Sequence, residues 1–432
     1  MTKTLFQKTS TILVGTIIAL LSFQQIPIQN PALAAPPSLQ EPLFAGLTNS
    51  SRELIDQVWQ LVERHYIDPS FNGQDWNAIR LQYLQQSYES DELLYNAIEE
   101  MLASLEDPLT RFMRPEEFRA LQISGDPVGI GLSFIKDEQT NEVLIIKPTE
   151  DSPASEAGIL PGDILVNIDG IDTLGMRLWK VVSLLRGEVG TVVTVKVRRG
   201  QREIDFRVIR RQVEIHPVKY MKQDSRIGAI GYIRLTQFSP NAAAEMRSAI
   251  QDLESQNVKG YILDLRSNSG GLLYSSLDIA RMWLDHGKIV SAVGRDGIVD
   301  EEVFNNRALT DLPLVVLVDR GSANASEILA GALQSHQRAL LVGTETAGAN
   351  SLQSVRSLPD GSGIAITVAK WYPPDGQDID SSGLIPDIRV DLTEEQQQTL
   401  FQNRSLVATS DDPQYVQALS ALTSLIADSA RY

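Results

Sequence analysis

The sequence predicts a multidomain α+β and α/β protein with three folded parts: a helical N-terminal region, a compact β-sandwich-like module, and an α/β core on a mostly parallel sheet. Three observations lead there. Apolar residues before position 116 recur at helical spacing. Between about 125 and 213, short β-branched runs alternate with glycine turns. Beyond 226, strand-like and helix-like segments take turns. Such alternation places helices on the faces of a parallel sheet, because parallel neighbours need a crossover between them.

Residues 1–34 are expected to be a signal peptide. Lys3 and Lys8 give a basic start without acids, and Ala32-Leu33-Ala34 offers a small-x-small cleavage site. The apolar run 11–23 falls short of the roughly 20 residues that cross a bilayer. A retained anchor is the alternative. Residues 35–47, with Pro36, Pro37, Pro42 and Gly46, form a linker. The helical region is placed at 48–116. Ser50 or Ser51 caps a first helix whose Leu54, Ile55, Val58, Leu61 and Val62 share one stripe, and 92–105 is a second helix.

The β-rich module is placed at 120–213. Its strands are expected at 128–134 (interrupted by Gly129 and Gly131), 142–146, 164–168 and 191–197, and its helices at 155–157 and 178–185. The core is placed at 214–392, with strands at 227–234, 260–265, 314–318 and 339–342 and helices at 242–256, 273–282 and 325–334. The polar tail 393–432 holds one apolar stretch, 416–426, expected to be a helix. No internal repeat is present.

Composition removes several function classes. The 432 residues are 43% hydrophobic and 22% charged, an ordinary globular balance with ample material for buried cores. A net charge of -17 repels phosphate and anionic lipid, so neither nucleic acid nor, after signal cleavage, membrane is an expected partner. There is no Cys, which removes disulfides, thiol nucleophiles and zinc-thiolate sites. His65, His216, His286 and His336 are scattered, so no metal or other cofactor is expected.

Three motifs carry chemistry. Glu106-Asp107-Pro108-Leu109-Thr110-Arg111-Phe112-Met113 precedes the β-rich module. Within the module, Gly129-Ile130-Gly131-Leu132 frees backbone N–H groups that can point at a terminal carboxylate, beside a strand edge that can pair with a peptide. Ser152-Pro153-Ala154 and Leu160-Pro161-Gly162-Asp163 follow. In the core, Leu263-Asp264-Leu265-Arg266-Ser267-Asn268-Ser269-Gly270-Gly271 is a strand entering a glycine loop, and Gly321-Ser322-Ala323-Asn324-Ala325-Ser326-Glu327-Ile328 opens a helix. Over about residues 48–392 the chain resembles the carboxyl-terminal processing proteases, a family of tail-specific serine peptidases with an inserted PDZ domain.

The resemblance implies a PDZ domain at 120–213 and a protease-like core at 214–392. It implies that Gly129, Ile130, Gly131 and Leu132 bind the C-termini of unstructured proteins or peptides; a plain β-turn is the other reading of that loop. It implies that Arg186 relays peptide binding to the core, although a solvated Arg explains that residue equally well. In the family the helix motif reads Ser-Ala-Ser-Ala-Ser-Glu-Ile, and its middle Ser attacks the substrate. The Lys base lies in a Thr-aromatic-Gly-Lys-Gly stretch. Glu327-Ile328 and Arg338-Ala339-Leu340-Leu341-Val342-Gly343 align the two without an insertion. Asn324 then stands at the nucleophile position and Ala349, within Thr346-Ala347-Gly348-Ala349-Asn350, at the base position. By the same resemblance the oxyanion-hole N–H groups are those of Gly270 and Ala325. Third-member positions are Glu327 and Gln353 or, where other members carry an Asp, Ser335. Ser269 stands where the family usually has Pro.

A carboxamide is neither nucleophile nor base, and Ala has nothing to titrate. Losing such a unit removes nearly all nucleophilic catalysis. Ser326 lies about 200° around the helix from Asn324 and faces elsewhere. Ser322 and Ser351 read as capping or surface residues, and nothing in the sequence brings Lys370 to Asn324. The expected protein is an exported pseudoprotease, in the periplasm, an equivalent lumen or the medium, with an active relative as one candidate partner. The alternatives are an active serine-type endopeptidase with rearranged catalytic residues, and a purely structural envelope protein.

Overall fold

The computed structural model describes residues 46–429 apart from 123–127, 138, 150–151, 214–215 and 306. The expected signal peptide and most of the linker lie outside the described residues. The described chain divides into two compact units, Ala120–Ile215 and the segments before and after it.

The N-terminal segment contains α1 (Gly46–His65), α2 (Trp76–Leu84), α3 (Asp91–Ala103), the short strand β1 (Arg111–Met113) and α4 (Pro115–Gln122). The helix α1 is already formed at Gly46, so neither Ser50 nor Ser51 starts it, contrary to expectation. Its stripe is as expected, with Leu54, Ile55, Val58 and Val62 buried. Ser90 caps α3 by accepting from the Leu93 N–H. These helices do not stand apart: Ile55, Ile98 and Met101 share a core with Ile364 and Ile366 from the segment after residue 216.

The unit Ala120–Ile215 contains β2 (Val128–Gly129), β3 (Leu132–Lys136), β4 (Val143–Pro148), α5 (Pro153–Glu156), β5 (Ile164–Ile168), β6 (Ile171–Asp172), α6 (Leu178–Leu185), β7 (Val192–Arg199), β8 (Arg202–Ile209) and β9 (Arg211–Gln212). The main sheet runs β3-β4-β5-β7-β8, and β2 pairs separately with β9. Ile130, Val143, Ile145, Leu165, Val181, Leu185 and Val195 fill its core.

The remaining segment contains β10 (Val218–Ser225), β11 (Gly228–Leu235), α7 (Ala242–Ser255), β12 (Tyr261–Asp264), α8 (Leu273–Trp283), β13 (His286–Gly294), β14 (Gly297–Asn305), β15 (Leu314–Val318), α9 (Ala325–Ser335), β16 (Ala339–Gly343), β17 (Ser351–Ser357), β18 (Gly363–Tyr372), β19 (Ile388–Arg389), α10 (Glu394–Gln402) and α11 (Pro413–Ser429). One sheet, ordered β10-β11-β12-β15-β16-β19, is parallel in every pairing but the first. Side chains alternate across it. Leu263, Val316 and Leu341 meet α7, α8 and α9 on one face. Ile262, Val315 and Val342 meet Tyr415, Ala418 and Leu422 of α11 on the other. The tail helix is therefore part of the core. A second, antiparallel sheet joins β1, β18, β13 and β14, with β17 also on β18. Among the described residues no helix is long and apolar enough to cross a membrane.

Candidate active site

Three loops leave the carboxyl ends of neighbouring parallel strands: 265–272 after β12, 319–324 after β15, and 344–350 after β16. Open α/β sheets place ligand chemistry at this edge. Asn268, fully buried, ties the first loop to the second. Its side-chain N–H donates to the Leu235 carbonyl at 2.9 Å, and its own carbonyl accepts from Ala323 N–H at 3.1 Å and the Ser326 hydroxyl at 2.7 Å. Gly270 has φ 100, and a Cβ there would fall 2.8 Å from the Ala323 carbonyl and 3.1 Å from both Asn324 Cβ and Ala325 N. Only glycine lets the two loops approach so closely.

Asn324 precedes α9 with φ 50 and ψ -111, outside the regions a side chain ordinarily prefers. What holds it is Glu327, one helical turn on and fully buried. Oε2 of Glu327 accepts the N–H of Asn324 at 2.9 Å and of Ala349 at 3.0 Å; Oε1 accepts the N–H of Gly348 at 2.7 Å and the Thr346 hydroxyl. One carboxylate oxygen thus binds the main chain of both positions 324 and 349. Burial pushes the Glu327 pKa up, and these four hydrogen bonds oppose it without cancelling it. Thr346 is anchored in turn, because its hydroxyl accepts the Leu384 N–H at 2.7 Å.

The structure therefore brings Asn324, Ala325, Glu327, Gly270 and Ala349 together. The Gly270 N–H, Gln353 and Ser335 depart from their expected roles, while Lys370 is engaged elsewhere. The N–H of Gly270 is committed to Asn268 Oδ1 at 3.0 Å, so of the two expected oxyanion donors only Ala325 N–H lacks a partner among the described residues. Gln353 lies on β17 opposite Thr367, with no bond to Glu327. Ser335 ends α9, about 16 Å along the axis from Asn324 at about 1.5 Å per residue, which is too far to act there. Ser322 donates to the Leu265 carbonyl at 2.8 Å, and Lys370 pairs with Asp380, whose hydrogen bond raises the lysine's pKa and keeps it an ammonium. Asn268 and Thr346 were visible in the motifs, but their positioning roles emerge only from the hydrogen-bond partners.

Below the first loop lies a buried ion network. Arg266 bonds Asp264 at 2.6 Å and Asp412 at 2.8 Å, and the Tyr232 hydroxyl donates to Asp264 at 2.6 Å. Burial alone would raise the Asp264 pKa; the charge and hydrogen bonds of Arg266 outweigh it and hold the carboxyl below its ordinary value.

In the other unit, Gly129 sits in β2 against the stem of Arg186, which would lie 3.9 Å from a Cβ added at Gly129. Ile130 is buried, and its carbonyl accepts the Ala154 N–H at 2.8 Å. Gly131 has φ 74, and a Cβ there would meet Ser152 Cβ at 2.4 Å. The N–H groups of Ile130 and Gly131 have no partner among the described residues. Leu132 opens β3, an edge strand of the main sheet. Arg210, unnoticed in the sequence, is buried and donates to the carbonyls of Leu184 and Leu185, fixing the end of α6.

Residues 229–390 match the family model for peptidase family S41, 145–199 that for a PDZ domain, and 48–103 that for the Tricorn protease C1 domain. The fold and the loop cluster thus define a PDZ-bearing protein of the S41 peptidase class. The chain is 43% identical to a carboxyl-terminal-processing protease of Synechocystis sp., over 87% of this chain and 88% of that one. It is 36% identical to the chloroplastic carboxyl-terminal-processing peptidase 3 of Arabidopsis thaliana, over 83% and 73%. Among solved structures, a photosystem II D1 C-terminal processing protease superposes with a TM-score of 0.69 at 34% identity, covering 85% of this chain and 99% of that one. The chain belongs to the carboxyl-terminal-processing protease family.

Proposed function

We propose that the chain is an exported, non-catalytic member of this family that binds unstructured protein or peptide C-termini through its PDZ domain. One observation carries the reading: Glu327 joins the main chain at positions 324 and 349, and the side chains there are a carboxamide and a methyl group. A dyad needs a hydroxyl and a base that accepts its proton. The nearby hydroxyls of Ser322 and Ser326 are spent on backbone carbonyls, and Lys370 is held as a cation by Asp380.

Binding is supported by the open edge of β3 and the unengaged N–H groups at Ile130 and Gly131, which suit an added peptide strand ending in a carboxylate. Export rests on the signal-like first 34 residues, with the periplasm, an equivalent lumen or the medium as destination. The proposed division is 48–116, 120–213, 214–392 and 393–432. An active relative is a proposed partner.

The test pairs the natural chain with the double variant Asn324→Ser, Ala349→Lys on an unstructured peptide with an apolar C-terminus. The natural chain is expected to bind it uncut, and the double variant to cut it. Cleavage by the natural chain that Asn324→Ala abolishes would overturn the reading. The alternative, a serine-type endopeptidase with rearranged residues, draws on the protease relative at 43% identity; it requires a serine-directed probe to label a Ser covalently.

A further inference from the structure

Asn324 has a backbone that matters for its own chemistry. Its ψ is -111. In an L residue, tetrahedral geometry places Cβ about 120° from N around the Cα–C bond. Asn324 Cβ is therefore about 10° from eclipsing the nitrogen of Ala325. Helical and extended residues lie far from this arrangement. A five-membered ring through Cβ, Cα, C, the Ala325 nitrogen and Cγ demands it. The backbone of Asn324 thus already has the ψ that most asparagines must climb to before such a ring can close, which leaves only rotation of the side chain.

Three further observations favour closure. Ala325 N–H is the first of helix α9 and has no partner among the described residues, so no hydrogen bond must break before its nitrogen attacks. It sits at the positive end of the helix, which stabilises the nitrogen as its proton leaves. The main chain on either side is fixed, because Asn324 N–H donates to Glu327 and the Asn324 carbonyl accepts from Glu327 N–H at 2.8 Å and Ile328 N–H at 2.9 Å. Asn324 itself is half-buried, so water reaches it.

We propose that Asn324 is a self-modification site that closes to a succinimide with Ala325. The Ala325 nitrogen forms a bond to Asn324 Cγ and gives up its proton. The Cγ–Nδ2 bond breaks, and Nδ2 leaves as ammonia with that proton. Water then opens the ring at either carbonyl, leaving aspartate or isoaspartate at position 324. Nothing is oxidised or reduced, and water is the sole co-reactant. The product adds one negative charge at the start of α9. The isoaspartate form also lengthens the main chain between the Glu327-held N–H and the Ala325 N–H. Closure at Asn324 depends on the backbone there and is independent of whether the chain cleaves peptides.

The experiment incubates the purified full chain at mildly alkaline pH, folded and in urea, in water enriched with heavy oxygen. Peptides are followed by mass spectrometry. Position 324 is expected to lose the mass of one ammonia and then gain one labelled oxygen, about tenfold faster in the folded chain than in urea, because the fold supplies the ring-closing orientation in advance. The Asn324→Gln variant needs a larger ring and is expected to keep its mass. Modification at 324 no faster in the folded chain than in urea overturns the proposal, as does an equal mass change at Gln in that variant.

Discussion

Glu327→Gln isolates the group that holds the two dyad positions together. Each oxygen of Glu327 accepts two donors, Thr346 hydroxyl and Gly348 N–H on one, Asn324 and Ala349 N–H on the other. A carboxamide of the same shape has one oxygen, so whichever way it turns, two donors face an NH2 group. A hydrogen bond to a charged group contributes about 1.5–3 kcal/mol, so two lost bonds cost roughly 3–6 kcal/mol. The neutral side chain recovers part of the cost of burying a charge, which leaves an expected net loss of about 2–4 kcal/mol at neutral pH. Urea unfolding of the natural chain and the variant, with equal slopes, measures it. The pH dependence has a definite sign. The folded pKa of Glu327 is raised, so its stabilisation relative to Gln is full below the ordinary carboxyl value and declines as pH rises through the raised one. The gap between the two proteins is thus widest in acid. A loss under about 1 kcal/mol refutes the clamp, whereas a gap that widens as pH rises would show that its four hydrogen bonds outweigh burial and that the raised pKa is wrong.

Other expectations concern the supports around the site. Arg266→Leu strands two buried carboxylates, Asp264 and Asp412, and is expected to cost about 3–5 kcal/mol by urea unfolding and to expose 403–413 to protease. Because Asp264 has a depressed pKa, the natural chain keeps that stabilisation above the ordinary carboxyl value and loses it as pH falls through the depressed one; a denaturation series in acid should show a step that Arg266→Leu lacks. Gly131→Ala forces a side chain into the left-handed region at about 1–2 kcal/mol and against Ser152 Cβ. Calorimetry should show lower stability, and peptide titration should show lost carboxylate-dependent binding. Lys370→Ala should leave cleavage by the Asn324→Ser, Ala349→Lys variant unchanged, because its ammonium is held by Asp380.

Elements that bury a full stripe or a continuous apolar run could be read from the sequence, as 314–318 and 178–185 show: β15 and α6 occupy those residues. Elements stabilised by their neighbours were not read. The helix α2 buries little beyond Trp76 and carries no strong periodic signal of its own, whereas β8 does carry one, with Ile204, Phe206 and Val208 alternating with Asp205 and Arg207. The hairpin β13–β14 did have one, an Asp296-Gly297 pair where the turn Arg295-Asp296 enters β14. At the site, motif spacing brought Asn324 and Ala349 to the same cluster. It could not reveal that Gly270 N–H is already bound by Asn268, because that depends on a rotamer and not on spacing.

The contacts that fix this cluster use main-chain atoms at 324 and 349 and side chains at 268, 327 and 346. None requires a hydroxyl at 324 or an amine at 349, so the scaffold can outlast the loss of both. The dyad itself carries a cost, because a lysine that serves as base must be held neutral, away from the water that would charge it. A methyl group at half-buried 349 avoids that cost. The double variant Asn324→Ser, Ala349→Lys is therefore expected to be less stable than the natural chain, by about 1–2 kcal/mol for a lysine whose pKa falls by roughly one unit. Titration of that lysine by NMR alongside urea unfolding checks both halves. A variant that cuts peptide while gaining stability would show that the dyad carries no such cost and that the scaffold argument is wrong.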